Sequence, residues 1–123
     1  MFWMCMGKYK YRAKLDSIDD KIDANGICIY KDKKIIYNEN NIKVTLKLFD
    51  NNIELSRVCN EYDILLILEK NKKTKSQYKI FGGSKIFELE TYTKELIIND
   101  KKIEIKYILE ENEFSYILEL EDL

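Results

Sequence analysis

The sequence predicts an all-β protein, closed or nearly closed into an antiparallel barrel of about eight to ten strands. Three observations carry this. Short runs of Ile, Leu, Tyr, Val and Phe alternate with polar side chains at a period of two. Clusters of Asn, Asp, Gly and Lys interrupt these runs roughly every 8 to 12 residues, the rhythm of a sandwich or barrel. No stretch keeps a helical period, and so many short strands in 123 residues would leave exposed edges unless the sheet closes on itself.

The elements follow in order. Lys8 to Ile18 reads as a first strand, ended by the turn-rich "SIDDKIDANG". "GICIY" and "KIIY" form the next two strands around "KDKK". After "NENN", Ile42, Val44, Leu46 and Leu48 share one face while Lys43, Thr45 and Lys47 share the other. "DNN" turns the chain into Ile53, Leu55 and Arg57, and "CNEYD" follows. "ILLIL" (Ile64 to Leu68) is apolar on both faces, so one face fills the barrel and the other needs a cover. The candidates for that cover are the N-terminal "MFWMCM", a neighbouring loop or a second copy of the chain.

"EKNKKT" and "FGGS" are the next breaks. Phe81-Gly82-Gly83-Ser84 raises the question of a phosphate-binding loop, which requires a glycine-rich turn between a strand and a helix. The residues that follow, "KIFELETYT", alternate like a strand, so the glycines are read as a hairpin turn. After "NDKK", Ile103, Ile105, Tyr107 and Leu109 alternate with Glu104, Lys106 and Glu110. "EENE" then leads into Phe114, Tyr116, Leu118 and Leu120.

The bulk properties bound the function. One domain spanning 1–123 is expected, with 1–7 an apolar segment of separate status in which Met4 and Met6 are alternative starts. Twenty-one basic against 22 acidic residues give a net charge of -1, so no global attraction to nucleic acid or to an anionic membrane is expected. No apolar run reaches the roughly 20 residues of a membrane helix. The three cysteines, Cys5, Cys28 and Cys59, are odd in number and form no CxxC, which reads as free thiols in a reducing cytoplasm. The chain has no histidine, which removes histidine nucleophile systems, histidine general bases and His-ligated metals together. No cofactor or metal is expected.

Arg57 is the leading site candidate. It is in phase with Ile53 and Leu55, so alternation points it inward, where a guanidinium requires a partner. It is either a barrel-end arginine satisfying carbonyls or a carboxylate, or an anchor for an anionic ligand. Glu88 and Glu90, on one face of a later strand, are its proposed partners. As a catalytic carboxylate pair they would need a defined separation across a cleft, and strand-face carboxylates of so charged a chain read as solvated. "EKNKKTKSQYK" gathers five lysines beside Tyr78; it reads as a solvated hairpin loop in preference to a nucleic-acid patch. Tyr107 and Tyr116 lie on core-facing phases, where a tyrosine buries its ring and sends its hydroxyl toward the barrel mouth. Tyr78, Tyr107 and Tyr116 suit a pocket lining as well as a core.

From Gly26 onward the chain resembles the YwiB-like family of small bacterial proteins, a domain of unknown function with a calycin-like, lipocalin-like barrel. The likeness rests on "GICIYKDKKIIY", on "IKVTLKLFDNNIELSR" ending in Leu55-Ser56-Arg57, and on "SQYKIFGGSKIFELETYTKEL" with the later "IEIKYIL". Cys59 stands near where the family pattern has a glycine. The resemblance implies a barrel of about eight to ten strands and brings no catalytic residue set.

Three functions fit the sequence. The first is a non-catalytic barrel that binds a small apolar or anionic molecule in its mouth or a protein partner on its surface. The second is an enzyme using Arg57 with Glu88 or Glu90. The third is a homodimer paired through the outer face of "ILLIL".

Overall fold

The computed structural model describes residues 7–80 and 85–123. Among them are ten strands: β1 (Lys8–Asp16), β2 (Lys21–Lys31), β3 (Lys34–Glu39), β4 (Ile42–Leu48), β5 (Asn52–Val58), β6 (Tyr62–Glu69), β7 (Lys73–Ile80), β8 (Lys85–Ile98), β9 (Lys102–Leu109) and β10 (Asn112–Asp122). Each pairs antiparallel with its sequence neighbours, and β1 also pairs with β10, which closes an up-and-down barrel. Closure gives every strand a neighbour on both sides, although β2 meets β3 only from Ile29↔Ile36 to Lys31↔Lys34.

The turns are short because the sequence supplies residues that tolerate left-handed backbone. Asp32 and Lys33 have φ of 53° and 62°, and Glu110 and Glu111 have φ of 47° and 76°. Two successive positive φ values make the tight turn whose twist matches the strands it joins.

Two segments differ from the sequence reading. Of "SIDDKIDANG", only Ser17–Asp20 turns, with the Ser17 amide donating to the Asp20 carbonyl at 2.8 Å. The rest is already strand, since Ile22 pairs with Leu15 and Ala24 with Ala13. Small residues and interleaved acids hid that alternation. The lysine-rich stretch is likewise not all loop, because β7 runs from Lys73 and alternates lysines outward. The "FGGS" turn lies outside the described residues. Its flanks, Ile80 and Lys85, are register partners in antiparallel strands, and β8 follows with no helix.

The inner face is a continuous core. Ile35, Val44, Leu46, Ile53, Leu68, Ile105 and Leu118 are fully buried, and the Cys28 thiol packs there as a small hydrophobe. Burying each large aliphatic side chain stabilises by about 1.5–3 kcal/mol. The "ILLIL" strand behaves as expected on its inner face, where Leu66 and Leu68 are buried; Leu65 and Ile67 face out and are half-buried. The proposed cover "MFWMCM" lies outside the described residues.

The wall is irregular between β6 and β7. β6 and β7 keep ladder pairing only from Tyr62↔Ile80 to Leu65↔Gln77. Beyond it, side chains replace the backbone: the Ile67 amide donates to Ser76 Oγ at 3.0 Å, and Thr74 Oγ1 donates to the Ile67 carbonyl. The end of β6 then meets β8 directly through the Asn71 amide and the Thr93 carbonyl, 2.7 Å apart. A bulge between Thr93 and Glu95 lets β8 serve β7 with its first half and β9 with its second.

Candidate functional site

Register builds the site. One inward row crosses six strands as Tyr37, Val44, Arg57, Ile64, Tyr78 and Phe87. The row sits near the barrel end that carries the β3–β4, β5–β6 and β9–β10 turns. Arg57 is the last inward residue of its strand, and Glu39, two residues after Tyr37, comes in from β3 beside it.

Arg57 Nη2 donates to Glu39 Oε1 at 2.6 Å, and their side chains are 11% and 6% exposed. This corrects the expected pairing. Glu88 and Glu90 lie on the outward phase of β8 and are exposed, with Phe87 and Leu89 on the inward phase. They cannot reach an arginine inside the barrel, so the enzyme arrangement built on them does not form. Alternation had placed Arg57 correctly, but Glu39 was hidden in "NENN", read as a turn. The signal for it was present: Ile35, Tyr37 and Glu39 share one phase.

Tyrosines surround the pair. The hydroxyls of Tyr37 and Tyr116 are 2.7 Å apart, both residues buried. Tyr11 stacks on Tyr37 with ring centroids 4.1 Å apart and donates its hydroxyl to the Asn38 carbonyl at 3.0 Å. Gly26 makes room for that ring, since a Cβ there would stand 3.3 Å from Tyr11 Cε1. Tyr107 is buried, as its phase implied, and stacks on Phe114 at 5.3 Å.

Burial sets the electrostatics. It raises the pKa of Tyr37, Tyr107 and Tyr116 well above the ordinary phenol value, so these hydroxyls stay neutral. Burial opposes the charge on Arg57, but the hydrogen bond and charge of Glu39 outweigh it, and the guanidinium is held protonated. Tyr62 is raised by burial and partly relieved by the positive charge of Arg57.

From Arg57 an aromatic path leads outward. Tyr62 lies beside the guanidinium; its ring is 6.0 Å from that of Tyr78, and Tyr78 is 6.3 Å from Phe87 with the rings near parallel. Exposure rises along it, from Arg57 at 9% to Phe87 at 44%. Tyr78 thus belongs to the barrel mouth, while the lysines around it face out. Tyr62 and Phe87 were not singled out in the sequence, although each stands on an inward phase. Among the described residues, no group of three or more His, Cys, Asp or Glu is placed to hold a metal ion. Nor is any helix long and apolar enough to cross a membrane.

The described strands form a closed up-and-down barrel with a polar, tyrosine-rich end. The family model described as "Domain of unknown function (DUF1934)" matches residues 9–119, and the chain belongs to that family. Its fold is also that of the ywiB protein from Bacillus subtilis, known from a crystal structure: the TM-score is 0.59 at 15% identity, over 92% of this chain and 89% of that one. At that identity the likeness speaks for the fold alone. No curated protein matches the chain.

Proposed function

We propose that this chain is a single-domain, non-catalytic binding protein of the cytoplasm that takes a small molecule at the Arg57 end of its barrel. The observation that carries the reading is the path Arg57, Tyr62, Tyr78, Phe87, which runs from a buried charge to an exposed aromatic edge. Aromatic faces hold an apolar or planar body, and a few polar groups orient it, which is the usual division of labour in a ligand site. Glu39 takes one of the five N–H donors of the guanidinium, so a ligand carboxylate or carbonyl has donors to meet. The ion pair is neutral as a unit, which favours a ligand of at most one negative charge over a polyphosphate. Cys28 and Cys59 are free thiols, in keeping with a reducing compartment.

The test is native mass spectrometry of the protein gently purified from its own cells, as wild type and as Tyr78→Ala. A bound small molecule in the wild type, lost or depleted in the variant, supports the reading. A bare chain in both, with no shift on adding aromatic carboxylates, counts against it.

A further inference from the structure

We propose that the outer wall of β2–β6 docks a short acidic segment of a partner protein that also carries apolar side chains. This goes beyond ligand binding in the mouth and rests on different residues. The outward register row of these five strands is Ile29, Ile36, Thr45, Ser56 and Leu65. None is charged, and Ile29 is 44% exposed. Thr45 and Ser56 are short, so the middle of the row is the floor of a groove of about 450 Å³ whose rim includes Lys34, Lys43 and Lys47.

Charge selects the occupant. On one side the flanking row runs Lys31, Lys34, Lys47, Glu54; on the other it runs Asn38, Lys43, Val58, Asp63. Four lysines and two acids, Glu54 and Asp63, therefore border the uncharged stripe, a net positive surface in a chain whose net charge is -1. Other outward acids lie on the far wall: Glu104, Glu113, Glu119 and Glu121 occupy outward positions on β9 and β10. Two copies meeting stripe to stripe would bring lysines against lysines, which costs free energy. An acidic segment gains on both counts, with carboxylates on the rim and apolar groups on Ile29, Ile36 and Leu65.

Size points the same way. Five strands span about 19 Å, the length of roughly six extended residues. The stripe is one register row of five side chains, well short of the roughly 800 Å² per partner of a stable globular interface. It suits a peptide segment.

The full chain is titrated at low salt with a fluorescent peptide of about six residues alternating leucine and glutamate. Saturable binding is expected. Lys34→Glu with Lys47→Glu should weaken it about tenfold, since two exposed pairs become repulsions. Tyr78→Ala should leave it unchanged, which separates this surface from the mouth. Absence of saturable binding, or equal binding by the double lysine variant with unchanged melting, overturns the proposal. So does concentration-dependent dimerisation abolished by Leu65→Glu, which would make a second copy the occupant. Peptide binding that emerges only after removal of residues 1–6 would assign the stripe to the chain's own apolar segment and overturn it equally. Binding to anionic phospholipid vesicles without binding to the peptide would name a membrane instead.

Discussion

Arg57 and Glu39 meet inside the barrel at 2.6 Å, from strands that are not adjacent in the sheet, and among the described residues neither forms a second ion pair. Such a pair is costly to break and cheap to replace. Arg57→Met alone leaves a buried carboxylate unpaired and should destabilise the fold by about 3–5 kcal/mol. Adding Glu39→Leu should restore most of that loss or exceed the wild type. Urea unfolding of the three proteins decides it; a double variant as unstable as the single would mean that the pair is held by a wider network.

The hydroxyls of Tyr37 and Tyr116 satisfy each other, so they too form a unit. Tyr37→Phe or Tyr116→Phe strands one buried hydroxyl and should cost about 1–3 kcal/mol. The double variant removes both and should cost clearly less than the sum of the singles. Strict additivity in a double-mutant cycle would contradict the pairing.

At the β6–β8 seam two threonines contrast. Thr91 Oγ1 lies 2.8 Å from Ser76 Oγ, whereas Thr93 Oγ1 is buried without a partner. Thr93→Val keeps the shape and removes an unsatisfied group, so it should be neutral or stabilising by up to about 1 kcal/mol. Thr91→Val should cost about 1–2 kcal/mol because it removes the hydroxyl partner of Ser76, whose oxygen keeps only the bond from the Ile67 amide. Thermal melts of both variants check the order; Thr93→Val as the worse of the two would show that its hydroxyl is bonded in solution.

Alkaline pH should weaken the fold through Cys28. Burial pushes its thiol from the ordinary 9.0 up to about 11. Below about pH 9 both folded and unfolded chains keep the proton, and the stability is fully present. Between about pH 9 and about 11 the unfolded chain ionises first, and up to about 2–3 kcal/mol is lost. The buried tyrosines have the same sign and extend the loss to higher pH. Unfolding at about pH 8 and about pH 10.5 should show a shallower decline for Cys28→Ala than for wild type; equal slopes would remove Cys28 as a contributor.

Reactivity separates the thiols as well. Cys28 is buried and Cys59 only partly so. In a Cys5→Ser background a disulfide reagent should label Cys59 rapidly and Cys28 only at the rate of unfolding. Fast labelling of two thiols would contradict the packing of β2.

Much of this was legible without coordinates. The run Ile42, Val44, Leu46, Leu48 and the run Phe114, Tyr116, Leu118, Leu120 face inward as their period required. Arg57, Tyr107 and Tyr116 sit inside for the same reason. The misses were of another kind. Glu39 and Ile22 were lost in clusters of turn-forming residues, where polar letters outweighed a correct phase. Tyr62 and Phe87, on inward phases beside turns, were not singled out although Tyr78 between them was.

Alternation along a strand is a local property, so the sequence by itself determined the all-β class, the strand rhythm and the face of most side chains. It could not determine which inward residues share a height, because that depends on register summed across the strands and on closure of the barrel. Only the tertiary structure put Glu39, and not Glu88 or Glu90, against Arg57. A buried guanidinium pairs with whichever carboxylate the fold brings within hydrogen-bond reach, and position in the chain does not set that distance.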